Sequence, residues 1–468
     1  MKTSRRRFLG NMTAGAGWAA LAGSTVLGAS CSGMGRKYSY TNDIIDPQNM
    51  SPAYHWTDIM LQTVRDQAVN PPRATRAFAM GHMAGFMAVN GIDPQYNLQN
   101  NYGLSDGPRD ADPAVAYGVA CSYAMADAFQ SSFIFDRMSY LDRFPDNGGK
   151  ARGIEWGKAC ADAIIKARTH DGAEPSKSAY YLDRYSRRTD SLRWRPTGPF
   201  YGARNGPAFS SFNRGLLPGW GAQKPWVMND ISRFRAQPFM DPRSPEFADQ
   251  YYRVKLLGGM DSITRSTDQT QIAFFWEDGP RGITPPGHWQ LLAMQLLEDK
   301  NLNLAEQSKA FALMSLAQAD GAISCWDSKF EYDILRPETA IRMRTSAFGN
   351  NDPRMVADPN WASLIPTPPF PAYTSGHSTF SAASAKVLAL CLGQDDIRFS
   401  GSSPDLVNWP HQLTGVTRSW PSLSACADEG GISREYGGIH WAADNTEGLR
   451  IGRDLGQYVV DHAIVRRG

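Results

Sequence analysis

The sequence predicts an all-α protein: two helical-bundle halves with long ordered loops, and an anion site in the C-terminal bundle. Three observations carry this. Segments 74–89, 113–129 and 153–168 repeat small and apolar residues, many of them Ala and Met, at three- and four-residue spacing, which lets helices pack closely. Strand signals are scarce, and neither a short-period repeat nor a low-complexity tract interrupts the pattern. The 43 Gly and 30 Pro among 468 residues fit long structured connections between helices rather than disorder.

The chain opens on an export pattern. Ser4, Arg5, Arg6, Arg7, Phe8 and Leu9 read as a twin-arginine motif, and a weakly apolar, Gly- and Ala-rich run follows from Met12 to Gly28. Residues 1–31 are therefore a targeting segment, to be set aside before the fold is considered. Cys31 follows Leu27, Gly28, Ala29 and Ser30, a loose lipoprotein box; lipidation at Cys31 and cleavage nearby both fit. A lipid there would anchor the chain rather than span a bilayer. No later run of about 20 apolar residues occurs. The expected location is the periplasm or cell envelope.

Lys2, Arg5, Arg6 and Arg7 supply four positive charges, and removing them from the formal +2 leaves about −2 for the remainder. No basic footprint for nucleic acid is left. Beyond Cys31 the cysteines are Cys121, Cys160, Cys325, Cys391 and Cys426, none at zinc-ligand spacing. One or two disulfides are compatible with an oxidising compartment, without a readable pairing.

Residues 32–262 are expected to form the N-terminal helical half with its long loops, and 263–468 the C-terminal catalytic bundle. Between Gly198 and Trp226 the text turns to Pro, Gly and aromatics, a long irregular loop. Helices are expected again over 244–262, 266–276, 287–298 and 303–320. Lys329, Asp333 and Arg336 are four and three apart and would share one helix face, with Arg336 at the helix end because Pro337 follows. His377 opens a further helix, on which Phe380, Ala383, Val387, Leu388 and Cys391 recur and which Gly393 can stop. His440 begins the last helix, and Asp444, one turn on, is placed to orient its imidazole.

Three separated segments carry the chemistry: Lys329 to Arg336, Ser375-Gly376-His377, and Ser433-Arg434 to His440. Two Arg and a Lys are donors suited to a tetrahedral oxyanion. The Ser375 hydroxyl and the Gly376 N–H, at a helix N-terminus, add neutral ones. One His can move protons near neutral pH, and a second can bond the central atom. Each piece alone has a bland reading: a solvated helix face, a helix cap, a satisfied buried histidine. Their joint occurrence in this order outweighs those readings. Elsewhere, His411 reads as surface polar and His288 as a structural cap, while His55, His82, His170 and His462 show no partner pattern.

Lys-x6-Arg-Pro, then Ser-Gly-His, then Ser-Arg-x5-His resembles the signature shared by the vanadium-dependent haloperoxidases and the type 2 phosphatidic-acid/acid phosphatases. One departure is Thr374, where the family usually has Pro. Pro368 to Tyr373 ahead of Ser375, Trp326 three residues before Lys329, and Gln269, Thr270, Phe275 to Gly279 and Thr284 to Pro286 look most similar to the chloroperoxidases. Arg193 to Pro196 looks similar to bacterial members.

The resemblance implies vanadate as cofactor, with His440 bound to vanadium. Lys329, Arg336, Ser375, Gly376 and Arg434 would be donors to its oxygens, and His377 the acid–base histidine. It also implies Asp278 as a carboxylate steadying the second arginine, and Trp326 and Phe370 as an aromatic wall near the halide, although both could simply be core. The implied reaction uses hydrogen peroxide to oxidise chloride or bromide to hypohalous acid, with a small organic acceptor. Homo-oligomers are common among such proteins, but no seam is visible here. On the same residues, an acid phosphatase would use His440 as nucleophile, through a phospho-histidine, with vanadate as inhibitor. A non-catalytic exported oxyanion-binding lipoprotein is a third reading, against which the full donor set argues.

Overall fold

The computed structural model describes residues 50–100, 102–174, 193–195, 197, 215–343 and 345–468. The export pattern, Cys31, Pro196 and residues 198–214 of the expected loop lie outside these. The described chain is all-α with a few short strands.

The N-terminal helices start on matched signals. Ser51, Asn70 and Asp112 each cap a helix whose first residue is proline: α1 (Pro52–Asp66), α2 (Pro71–Ile92) and α3 (Pro113–Phe129). The caps accept from the first-turn N–H groups, and proline there has no N–H to waste. A short α4 (Ile134–Leu141) and α5 (Gly148–Arg168) complete the group. Close approach depends on glycine: a Cβ at Gly85 would stand 2.5 Å from the Tyr117 ring.

Next come α6 (Pro245–Gly258), α7 (Thr267–Phe275), α8 (Thr284–Asp299) and the 29-residue α9 (Leu304–Tyr332). Helix α9 starts on an Asn303–Glu306 capping box and is buried along most of its length, so one core runs through both groups of helices. The short α10 (Pro337–Arg342) follows, then α11 (Gly376–Leu392), α12 (Pro410–Leu413), α13 (Leu423–Tyr436) and α14 (Ala442–His462). Helix α14 lies tightly on α11 through Gly448 and Gly456, where a Cβ would meet the Ser375 carbonyl at 2.8 Å and the Ala383 carbonyl at 2.9 Å. Two antiparallel strand pairs complete the described fold: β1 (Tyr96–Leu98) with β4 (Ile464–Arg466), which are far apart in the chain, and the hairpin of β2 (Phe399–Ser402) with β3 (Thr417–Trp420).

Several expectations need correction. The 303–320 helix runs on to Tyr332. It stops at Asp333, which takes a left-handed φ of 56°, so Lys329, Asp333 and Arg336 do not share a helix face. Arg336 is the N-cap of α10, and Pro337 marks that start rather than an end. The stretch 394–432, which carries His411, holds the β2–β3 hairpin and most of α13. The five described cysteines are all free. Among the described residues no helix is long and apolar enough to cross a membrane.

Candidate active site

Four helix ends converge. Lys329 lies in the last turn of α9, fully buried, and its Nζ donates to the carbonyls of Pro371 (2.9 Å), Ala372 (3.0 Å) and Thr374. Arg336, also fully buried, donates through Nε to the Phe370 carbonyl (2.8 Å) and through Nη1 to the Ile439 carbonyl (2.8 Å). Nη1 also stands 2.9 Å from Nε2 of His440, while Nη2 is buried with no partner. Arg434, in the last turn of α13, donates from Nη1 to the Trp276 carbonyl at 2.6 Å, and its Nε is buried and unpartnered.

His440 sits between α13 and α14. Its Nδ1 is 2.8 Å from Oδ2 of Asp444, which also accepts from the Trp441 N–H at 2.9 Å. A guanidinium can only donate, so Nε2, facing Arg336, presents its lone pair and the ring proton is on Nδ1. The fold thus aims one imidazole lone pair at the cations. Ser375 caps α11 and Gly376 is its first residue. The first-turn N–H groups of a helix have no partner in the helical ladder; the Ser378 N–H donates to the Ser375 hydroxyl at 3.3 Å, and those of Gly376 and His377 are the donors left for an anion. The Ser375 N–H bonds the Asp444 carbonyl at 2.9 Å, tying the α11 start to the His440 segment.

His377 follows, its side chain 15% exposed, with Nε2 unpartnered and 4.0 Å from Oδ2 of Asp278. A backbone hydrogen bond to Glu277 holds the ring. Trp326 and Phe370 pack with ring centroids 5.1 Å apart, and Lys329 Nζ and the Arg336 guanidinium lie 5.0 Å and 4.9 Å from the Phe370 ring.

Burial sets the protonation states first, and the crowded cations second. Burial first, then Arg434, drives His377 well below the ordinary histidine range; burial, then Arg336 and Lys329, does the same to His440. Burial with Arg336 nearby pushes Lys329 down to about 7. Burial raises Asp444 to about 7, against the pull of Lys329 and Arg336. Each cationic form is held at a cost that an added anion would lower. Leaving a buried donor unbonded costs about 1–3 kcal/mol, more when it is charged. The unpartnered Nη2 of Arg336 and Nε of Arg434 are therefore places made for an acceptor. Among the described residues no cluster of three His, Cys, Asp or Glu could hold a metal ion. The donor set suits an oxyanion carrying its own oxygens, with one imidazole for its central atom.

The structure therefore brings Lys329, Arg336, Ser375, Gly376, His377, Arg434 and His440 to one place, with Trp326 and Phe370 beside Lys329. Asp278 favours the Arg434 cation through its charge rather than through a direct ion pair. It accepts from Nδ1 of His288 at 3.1 Å. His288 is thus not a cap but a fully buried ring inside α8, stacked on Trp276. Ten residues separate it from Asp278, with no periodic relation to reveal the pair. Glu277 and Asp405, buried behind Arg434, were likewise missed. His411 is exposed, as a surface polar residue would be.

A family profile for the VCPO second helical-bundle domain matches residues 309–466. A vanadium chloroperoxidase from Curvularia inaequalis is 25% identical over 414 residues, covering 73% of this chain and 66% of that enzyme. Among solved structures, the first bacterial vanadium-dependent iodoperoxidase superposes with a TM-score of 0.72 at 28% identity, covering 90% of this chain and 99% of that one. A holo-type bacterial vanadium-dependent chloroperoxidase superposes with a TM-score of 0.60 at 16% identity, covering 84% and 93%, and supports the fold alone. These relatives do not favour the acid-phosphatase alternative. The profile matched in the C-terminal bundle, the overall fold and the curated relative thus agree: what this chain is similar to are vanadium haloperoxidases.

Proposed function

We propose that the protein is an exported, vanadate-dependent haloperoxidase. It would combine hydrogen peroxide, a halide and a proton into hypohalous acid and water, for transfer to a small organic acceptor. The observation that carries this reading is the set of buried, unpartnered nitrogens on Arg336, Arg434 and His377 beside the His440 lone pair. They fit vanadate: His440 Nε2 for the metal, and Lys329, Arg336, Arg434, the Ser375 hydroxyl and the Gly376 N–H for its oxygens. Vanadate in that position supplies a Lewis acid that activates hydrogen peroxide without a change of metal oxidation state.

The chain's own residues do the rest. His377, neutral because burial and Arg434 depress it, has Nε2 free to accept a proton from hydrogen peroxide and to return it to a leaving oxygen. Lys329 and the two arginines stabilise negative charge from fixed positions, with no reorganisation needed as it develops. Asp444 keeps the His440 lone pair aimed. Trp326 and Phe370 offer the halide a face with little water.

The test is halogenation of monochlorodimedone by purified protein loaded with vanadate, in the presence of hydrogen peroxide. Turnover should depend on chloride, bromide or iodide. Its absence with all three would refute the reading. The twin-arginine motif supports export to the periplasm or cell envelope, with Cys31 as a lipid-anchor candidate. Fractionation of cells expressing the wild type, the Cys31→Ser variant and the Arg5→Lys/Arg6→Lys/Arg7→Lys variant checks both points. Loss of export should accompany the Arg changes, and loss of membrane association Cys31→Ser.

A further inference from the structure

Three of the helix ends that build the site meet on one buried amide. Ser375 and Gly376 open α11, Arg434 lies in the last turn of α13, and Asp444, which holds His440, lies in the first turn of α14. Asn445, the next residue of α14, touches all three helices. Its Oδ1 accepts from the Ser378 hydroxyl of α11 at 2.8 Å, and its Nδ2 donates to Oε1 of Glu435 on α13 at 3.3 Å. A carboxylate only accepts, so Glu435 fixes which way the amide faces. The other Glu435 oxygen pairs with Nε of the half-exposed Arg253 on α6 at 3.0 Å. Burial pushes the Glu435 carboxyl up, and Arg253 and Asn445 pull it back toward the carboxylate.

Each partner of the amide is joined to a donor of the site. The Ser378 N–H donates to the Ser375 hydroxyl at 3.3 Å, so that oxygen accepts there and keeps its own proton for an anion. Glu435 follows Arg434 in the chain, and Asn445 follows Asp444. The junction is closely packed. A Cβ at Gly431 of α13 would overlap Oδ1 of Asn445, and one at Gly448 of α14 would stand 2.9 Å from Ser378 Cβ. Interiors packed this tightly transmit strain, so a displaced amide would move the helix ends around it.

We propose that Asn445 is a positioning residue of the oxyanion site: its amide ties Ser378, and through it the Ser375 cap, to Glu435 beside Arg434, so that the donors of α11, α13 and α14 face one anion together. This rests on the oxyanion reading given above and assigns a role to a residue outside the donor set.

The experiment is calorimetric titration of the protein with vanadate and, separately, with inorganic phosphate, with circular dichroism to verify folding. Asn445→Asp sets two carboxylates against each other and should weaken both anions about 10- to 100-fold. Asn445→Asp/Glu435→Gln reverses the pair: an amide now donates to a carboxylate that still accepts from Ser378. Affinity should return to within about twofold of the wild type. Glu435→Gln alone keeps an oxygen for Nδ2 and should also stay within about twofold.

A double variant as weak as Asn445→Asp would overturn the proposal, and so would wild-type affinity in Asn445→Asp. If charge near the anion were the whole effect, Glu435→Gln alone would tighten binding as much as Asn445→Asp weakens it, and that result would overturn the proposal too. If Asn445→Asp does not fold, Ser378→Ala replaces it. It removes the hydroxyl that Asn445 holds and leaves the N–H cap on Ser375 intact. Both anions should then weaken about 2- to 10-fold, and unchanged affinity overturns the proposal. Wild-type protein that binds neither anion overturns the oxyanion reading and this proposal together. Tight wild-type binding with indifferent variants overturns the proposal alone.

Discussion

Asp444→Ala isolates the device that aims His440. The carboxylate is fully buried, 2.8 Å from His440 Nδ1 and 2.9 Å from the Trp441 N–H. With Asp444 present, Nδ1 carries the proton and Nε2 the lone pair. Removing it frees the ring to flip or to change tautomer and leaves two buried donors without an acceptor. A hydrogen bond to a charged group is worth about 1.5–3 kcal/mol, and about 1.4 kcal/mol is a factor of ten. Vanadate affinity should therefore fall roughly 10- to 150-fold. Asp444→Asn keeps an oxygen that can accept from Nδ1 but loses the charge, so its loss should be smaller, about tenfold or less. The assay is titration of vanadate into both variants by calorimetry, with circular dichroism to verify folding. Folded Asp444→Ala that binds vanadate as tightly as the wild type would refute the reasoning, as would a greater loss in Asp444→Asn than in Asp444→Ala.

Other perturbations separate the roles of the neighbours. Arg434→Lys replaces a planar fork by a point charge that cannot both hold the Trp276 carbonyl and present Nε; vanadate affinity should drop about tenfold with little change in melting temperature. Gly448→Ala places a methyl 2.8 Å from the Ser375 carbonyl and 2.9 Å from Ser378 Cβ. It should destabilise the protein by about 1–3 kcal/mol in thermal unfolding and weaken anion binding, because Ser375 caps the helix that carries His377. The depressed His377 gives a pH signature. Below about 6.5 the unfolded chain binds a proton at this position that the folded one refuses, so its contribution to stability is lost as pH falls. The melting temperature of the vanadate-free wild type should therefore drop more between pH 7 and pH 5 than that of His377→Ala. An equal drop in the two proteins would contradict the assigned protonation.

What could be read in the sequence, and what could not, follows the range of the interaction involved. The helix that opens at Gly376 was legible because its signals are local: Ser375 as cap, apolar residues at helical spacing, and Gly393, left-handed at φ 75°, as the stop. The His440–Asp444 pair was legible for the same reason, being one turn apart. Arg336 was misplaced although its signal was also local. Asp333 is among the few residue types that tolerate the left-handed conformation, but nothing in its neighbours demands that conformation. Without that break, Pro337 reads equally well as the end of one helix or the first residue of the next. The His288–Asp278 pair belongs to another class. Asp278 sits in the turn before α8 at a left-handed φ of 48°, and the two side chains meet where Phe275 and Trp276 pack against His288. The oxyanion donors therefore announce themselves as motifs, since each motif is a helix end with its cap or last-turn cation. The groups packed around those donors, such as His288, Glu277 and Asp405, are set by tertiary packing and carry no motif. Substitutions among them would leave all three sequence segments intact while changing how tightly the site holds an anion.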